Sequence, residues 1–241
     1  MSEIRPSIPP HDIAPDPVEA GRLQVFNKYL DHLGIKPADL KDKRILDIGA
    51  SSGAFGDVAT RFGAQVISVD AVRPQDWQDV LVGESQKLFE MPVENLNLKD
   101  RLGLDAEPQF DYVLSHFSTP YVLVNEGQDA VGRWKDNLSS EERHKRLYEK
   151  VSKAMQNIFL HLKVGGQAIL YPLFLNLDDE EAMAVDFTHG EKRDVRELNK
   201  VVHEVLDDLQ TSYQENFALS LEKLPQSGDE NLTRLIINRT A

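Results

Sequence analysis

A short strand that runs into a glycine turn, and from there straight into a helix, constrains this chain more than any other feature. Arg44-Ile45-Leu46-Asp47-Ile48 has the pattern of a buried strand, Gly49 and Gly53 bracket a turn, and Phe55, Val58, Ala59 and Phe62 then recur on one helical face until Gly63. Gln65-Val66-Ile67-Ser68-Val69 follows as a second strand, closed by Asp70. Two strands joined through a helix pair in parallel, and a parallel sheet must be covered on both faces. The chain is thereby directed toward a layered α/β fold.

The rest of the sequence keeps that alternation. A third strand is expected around Lys87-Leu88-Phe89 and a fourth at Asp111-Tyr112-Val113-Leu114-Ser115. Ser139 and Glu142 have the spacing of a capping box, and the helix they open carries Leu147, Val151, Met155, Ile158 and Leu162 on one face. Gly165-Gly166 ends it, and Gln167-Ala168-Ile169-Leu170-Tyr171 is the fifth strand. A core helix follows, with Val195, Leu198, Val202, Val205 and Leu209 in its stripe. Phe217–Leu221 and Leu232–Ile237 then read as two strands around the polar loop Pro225–Asn231, an antiparallel hairpin. The fold expected is a doubly wound α/β domain with a seven-stranded, mostly parallel sheet and a C-terminal antiparallel hairpin strand.

This domain is expected over residues 18–241. An extended arm over 1–17 should precede it, because five prolines there fix φ and remove amide donors. An earlier helix stripe, Leu23, Phe26, Leu30 and Leu33, ends at Gly34. The polar stretch Asn125–Lys135 and the acidic stretch Leu173–Asp194 each follow a strand, where ligands bind in doubly wound sheets, and are candidate lids.

Composition narrows the function. Twenty-seven Lys and Arg against 40 Asp and Glu give a net charge of −13, which repels phosphate backbones and anionic lipid. Nucleic acid is therefore disfavoured as a partner. The absence of Cys removes thiol nucleophiles and Cys-type zinc sites, and fits a reducing, cytoplasmic setting. The seven His show no helical metal-ligand spacing, so no metal is expected. No apolar run approaches the ~18 residues of a membrane helix, and the N-terminus has no signal-peptide pattern. Asp178-Asp179-Glu180-Glu181 reads as a solvated loop.

The chemistry sits at the first turn. Gly49 and Gly53 allow backbone to approach a ligand with no Cβ in the way, and Asp70, ending the next strand, stands where an acid bonds a ribose diol. Ser51 occupies the place of the second glycine of the dinucleotide fingerprint, the one that meets a pyrophosphate. A nucleoside without a pyrophosphate suits this pattern better. The segment Ile45-Leu46-Asp47-Ile48-Gly49-Ala50-Ser51-Ser52-Gly53 resembles the class I S-adenosylmethionine-dependent methyltransferases. So do Leu162-Lys163-Val164-Gly165-Gly166 before the fifth strand, Phe110–Ser115 as the fourth, and the terminal hairpin. The resemblance extends from about Phe26 to Arg239 and implies S-adenosylmethionine as cofactor and methyl transfer as the activity.

On that resemblance Asp70 would hold the ribose and Gly49–Gly53 the methionine end, while Asp47 would meet its ammonium or order the loop amides. Ala50, Ser51, Ala71 and Ser115 complete the expected cofactor-binding set. Pro92 stands where family members often carry the Asp near the adenine amino group, so that contact would pass to the Val93 backbone or to Glu94. His116, just past the fourth strand, is the candidate general base, since an imidazole can take a substrate proton at neutral pH, or else a polar rim residue. Phe117 and Tyr121 could wall a substrate pocket or pack against the next helix. Trp134 could cover a substrate, and Trp77 has no assignable role. The expected acceptor is a small molecule or a protein. Two other readings stay open: a non-catalytic cofactor-binding or partner-supporting module of the same fold, and a nicotinamide-dependent oxidoreductase.

Overall fold

The computed structural model describes residues 17–71, 86–121, 127–128, 133–175, 179–183, 185–188, 191–223 and 232–241. Residues 1–16 of the expected arm, Trp77 and the Pro225–Asn231 loop lie outside them, as does Asp178, while Pro17, expected in the arm, belongs to the first helix.

Pro17 opens helix α1 (Pro17–Leu33); its fixed φ and missing N–H suit a first helical turn. The alternation read from the sequence follows: β1 (Arg44–Ile48), α2 (Ala54–Arg61), β2 (Gln65–Asp70), β3 (Gln86–Glu90), a short α3 (Leu98–Leu102), β4 (Phe110–His116), α4 (Ser140–His161) and β5 (Leu162–Leu173). The Ser139–Glu142 capping box is present, with the Glu142 amide donating to the Ser139 hydroxyl at 3.2 Å and the Ser139 amide to Glu142 at 2.9 Å. Strand β5 begins five residues earlier than Gln167: the chain is already extended at Leu162, and Gly165–Gly166 lie inside the strand rather than before it.

Beyond β5 come a one-turn α5 (Asp179–Ala182) and a small antiparallel ribbon of β6 (Val185–Thr188) and β7 (Glu191–Arg193), structure within a stretch expected to be loop. Helix α6 (Arg196–Tyr213) carries the expected core stripe, and β8 (Phe217–Lys223) with β9 (Thr233–Arg239) forms the hairpin. The main sheet has seven strands in the order β3-β2-β1-β4-β5-β9-β8. Strands β1 to β5 run parallel, and only β9 is reversed, pairing antiparallel with both β5 and β8.

Side-chain parity in the strands sends alternate residues to opposite faces. Ile45, Val66, Leu114, Ile169 and Tyr171 pack under α1 and α2 with Phe26, Tyr29, Leu30, Phe55 and Val58. Leu46, Val69, Val113, Ala168, Leu170 and Ile237 pack under α4 and α6 with Val151, Ile158, Leu198 and Val205. Burying one such side chain contributes about 1.5–3 kcal/mol relative to exposure, so the two faces share the stabilisation. The same parity places Asp47 and His116 on the α1 face and Ser115 on the α4 face.

Candidate active site

Strand order reverses between β1 and β4, and a crevice opens at such a switch point beyond the carboxyl ends of the strands. The cleft there is lined by Ile48 and Gly49 after β1, Asp70 and Ala71 after β2, Met91, Pro92, Val93 and Glu94 after β3, and Ser118 and Thr119 after β4. Five of the residues singled out from the sequence, Gly49, Asp70, Ala71, Val93 and Glu94, meet in this one place.

The β1–α2 loop is built by backbone geometry. Gly49 and Gly53 take φ of +73° and +74°, the left-handed region that glycine enters at no steric cost, and Ser51 takes +48°. The Gly49 and Ala50 amides donate to the Val69 carbonyl at 2.8 and 3.2 Å, so the loop starts against the end of β2. The Ser51 amide donates to Asp70 Oδ2 at 2.9 Å. That bond fixes the Asp70 carboxylate beside the loop. Gln86 donates from Nε2 to the Gly53 carbonyl at 3.0 Å, a support from β3 that no sequence motif signalled.

Asp47 lies fully buried beneath the loop. Burial pushes its carboxyl up to about 7; a hydrogen bond from Ser68 opposes the shift, the Asp70 charge reinforces it, and the Tyr29 phenol opposes it again. The Ser68 hydroxyl donates to Asp47 Oδ2 at 3.4 Å, while Oδ1 has no hydrogen-bond partner among the described residues. Thr119 Oγ1, in the cleft, is likewise buried and unpartnered. Buried polar atoms are nearly always hydrogen-bonded in folded proteins, so the Thr119 orphan in the lining marks where a polar ligand would complete the structure.

The segment after β4 closes the cleft. It turns at Phe117, a bulky residue held at φ +54°, and Ser115 Oγ accepts from the Thr119 amide at 2.9 Å, so Ser115 shapes this turn from behind the cleft. A Cβ on Gly49 would fall on the Ser118 side chain. The enclosed space is only about 20 Å³, against the ~300–1,000 Å³ of ordinary ligand pockets. The cleft as it stands is too small for a nucleoside, and Ser118 is the side chain packed against Gly49.

His116 is not in the cleft lining. Its ring packs against Tyr29 at a centroid distance of 4.0 Å, and its Nε2 lies 2.9 Å from His32 Nδ1. Burial holds the imidazole down at about 3, with His32 and Lys28 adding to the effect, so it is neutral at physiological pH. Tyr29 and His32 were not singled out in the sequence; the α1 stripe of Leu23, Phe26, Leu30 and Leu33 gave no sign that they would reach the sheet end. Tyr121 packs in the interior, where its hydroxyl donates to Asn199 Oδ1 at 2.9 Å and accepts from the Phe174 amide at 2.7 Å. Phe117 is 45% exposed. The two candidate lids are tied to each other: Gln128 donates to the Asp194 carbonyl at 2.7 Å and accepts from the Asp194 amide at 3.0 Å. Trp134 is half-buried under the Arg143 guanidinium, 4.9 Å from its ring. Val93 offers a carbonyl already engaged by Asn157 at 2.8 Å, and Glu94 lies 3.7 Å from Lys150. No described helix is long and apolar enough to cross a membrane.

No protein-family model matches the sequence, and no curated protein matches it. Solved structures do. A Listeria monocytogenes protein provisionally named as an S-adenosylmethionine-dependent methyltransferase superposes with a TM-score of 0.52 at 14% identity, covering 92% of this chain and 99% of its own. N-methyltransferase NodS from Bradyrhizobium japonicum WM9 gives 0.50 at 12% identity, with 93% and 97% covered. A Clostridium thermocellum protein provisionally named as an rRNA methylase gives 0.50 at 10% identity, with 91% and 96% covered. The strand order and these likenesses together define the class: the chain has the Rossmann-like fold of the class I methyltransferases.

Proposed function

We propose that this protein binds S-adenosylmethionine in the cleft at the β1–β4 switch point and transfers its methyl group to a small-molecule or protein acceptor. The observation that carries the reading is the meeting of Gly49, the Asp70 carboxylate held by the Ser51 amide, and the unpartnered Thr119 Oγ1 around one closed cleft. When bound, the cofactor supplies an electrophilic methyl group on a sulfonium. This chain's residues bind, align and exclude water, which is most of what an in-line displacement that neutralises a charge asks of a protein. Asp70 would accept the hydroxyls of the ribose. The glycine loop would take the methionine end, and Asp47, ionising beside an ammonium, would oppose its charge. Met91, Pro92 and Val93 supply an apolar bed, with Glu94 beside it, for a base. Ala71 extends that floor.

The acceptor side rests on charge. A chain of net charge −13 disfavours a polyphosphate acceptor, even though one fold neighbour is named as an rRNA methylase. Ser51 in place of a pyrophosphate-facing glycine and the reversed β9 weigh against a nicotinamide oxidoreductase. Calorimetric titration with S-adenosylhomocysteine tests the reading. Micromolar binding should fall by roughly 10- to 100-fold in Asp70→Ala, since a charge-assisted hydrogen bond contributes about 1.5–3 kcal/mol, with NADH not binding. Absence of binding to the folded wild type would overturn it.

The near-closure of the cleft by Ser118 favours one second reading, a module of this fold that senses the cofactor or supports a partner without transferring methyl. An acceptor screen with methyl-labelled cofactor separates the two.

A further inference from the structure

Between the first turns of α4 and the segment that carries Gly127 and Trp134 lies a cavity of about 290 Å³, much larger than the closed cleft. Arg143, Arg146, Leu147 and Lys150 line it from the helix. They recur at steps of three and four residues and so share one helical face. Trp134, Lys135 and Asp136 line it from the other segment. Four cations therefore meet one carboxylate here, in a chain whose net charge is −13.

Folding does not account for this concentration of positive charge. Arg146 follows Arg143 by three residues and precedes Lys150 by four, and like charges at that spacing repel. Glu142, one turn before Arg146, could offset its charge. Its carboxylate is instead occupied by the Ser139 amide at 2.9 Å and the Ser139 hydroxyl at 2.8 Å. Neither Arg146 nor Lys135 has an ion-pair partner among the described residues.

Arg143 is held rigidly. Its Nη2 donates to Asp136 Oδ1 and to the Leu138 carbonyl, both at 3.0 Å, and its guanidinium lies 4.9 Å from the centre of the Trp134 ring. Gly127 makes room for that ring, since a Cβ there would stand 2.6 Å from Trp134 Cζ3. Even so anchored, Arg143 leaves its Nε buried with no hydrogen-bond partner among the described residues. A buried donor without an acceptor is uncommon in a folded protein, and an anion seated against Arg143 would supply one.

We propose that this cavity is a second ligand site, and that it takes a small dicarboxylate. The need for two anionic groups comes from spacing. Arg143 and Lys150 are separated by two turns, about 10 Å along the helix axis. Arg143 is fixed by Asp136 and Trp134, while Lys150 Nζ lies 3.7 Å from Glu94, so the two ends do not converge on a single carboxylate. Leu147, midway between them on the helix, and Trp134 offer apolar surface to the carbon frame that joins the two groups. The volume equals that of about ten waters, which suits a small molecule and not a polymer. Carboxylates suit the site better than phosphates, because the field of a strongly negative chain opposes every added charge. Glu94 also lines the cleft, so the two sites are neighbours. The inference does not depend on what the cleft binds.

Calorimetric titration of the full chain with adipate tests the site, with acetate, pyrophosphate and a short single-stranded oligonucleotide compared at matched ionic strength. Adipate is expected to bind at one site and to shift the Trp134 indole N–H resonance, which a Trp134→Phe variant assigns; acetate should do neither. Arg146→Gln should weaken adipate at least tenfold, the loss of one charge-assisted contact. Lys145→Gln makes the same change of charge one residue away, outside the cavity lining, and should leave binding unaltered. Both side chains are exposed, so neither substitution should disturb the fold. No adipate binding at millimolar concentration, or an equal loss in Lys145→Gln, would overturn the site. Tighter binding of pyrophosphate or of the oligonucleotide than of adipate would overturn the ligand class. S-adenosylhomocysteine titrated into the same protein reports on the cleft alone, so either reading can fail without the other.

Discussion

The two sides of the β1–β4 switch point are built by opposite means. On the β1–β3 side, the site is made of backbone: the Gly49 and Gly53 turns, the Ser51 amide on Asp70, and loop amides on the end of β2. Its parts lie within about one βαβ unit of each other in the chain. On the β4–β5 side stand side chains from distant segments, with His32 from α1, His116 from β4, Phe117 just after it, and Tyr171 from β5. A backbone site has little freedom to vary, because its geometry is the geometry of the turn. A side-chain site can be respecified residue by residue while the turn persists.

The harshest way to break the comparison is at the turn. Gly49→Ala forces an L residue to φ +73° and drives its Cβ into Ser118. Left-handed strain is about 1–2 kcal/mol, and the collision adds to it; a stability loss of roughly 2–4 kcal/mol in urea unfolding, with loss of S-adenosylhomocysteine binding, is expected. A fully stable variant would show that Ser118 yields freely and that the cleft is not held shut.

Asp47→Asn acts on the seam between the two sides. A buried carboxyl raised from its ordinary value to about 7 binds a proton more tightly in the folded than in the unfolded chain. Its contribution to stability is therefore full below the unfolded pKa and falls as pH rises from about 4 to 7. The Asn variant should lose that slope and be more stable than wild type at neutral pH, by on the order of 1–4 kcal/mol, while binding the cofactor less well. Parallel pH–stability curves for the two proteins would show that Asp47 is not the titrating group.

The smallest effect belongs to a place outside both sides. His144 on α4 bonds Glu197 and Glu204 of α6, both at 2.8 Å. The hydrogen bonds to Glu197 and then Glu204 raise its pKa. A raised histidine stabilises fully below its unfolded value near 6.5 and loses that contribution as pH climbs through the folded value. His144→Ala should cost under about 1 kcal/mol, since the pair is solvent-screened, with the difference from wild type largest near pH 5–6 and gone at alkaline pH. Cofactor binding should not change; a change would show that α4 and α6 communicate with the cleft.

The same contrast governs what the sequence could tell. Strand, turn and Asp70 were legible because they lie within a short stretch whose spacing is set by one helix. The Ser139–Glu142 box was legible because its partners are three residues apart. His32 and Tyr29 were not: nothing local separates a helix residue that covers a core from one that reaches a neighbouring strand end. The start of β5 was misplaced because two glycines usually end elements, whereas Gly165 here takes φ +76° and Gly166 sits tight against the Phe110 carbonyl, with strand on both sides of them. The ribbon β6–β7 lay hidden in an acidic stretch with no alternation to announce it.

One feature of the sheet bears on how such a chain is made. Strand β9 is the last of the seven in chain order, yet it lies between β5 and β8, with Ile237 fully buried and Leu235 nearly so. A ribosome delivers that strand after every other part of the sheet has emerged. Until Thr233–Arg239 is free of the exit tunnel, the β5 edge stands unpaired and β8 has no neighbour to join. Between the emergence of β5 and that of β9 the nascent chain therefore carries an open strand edge, a template on which another chain could pair.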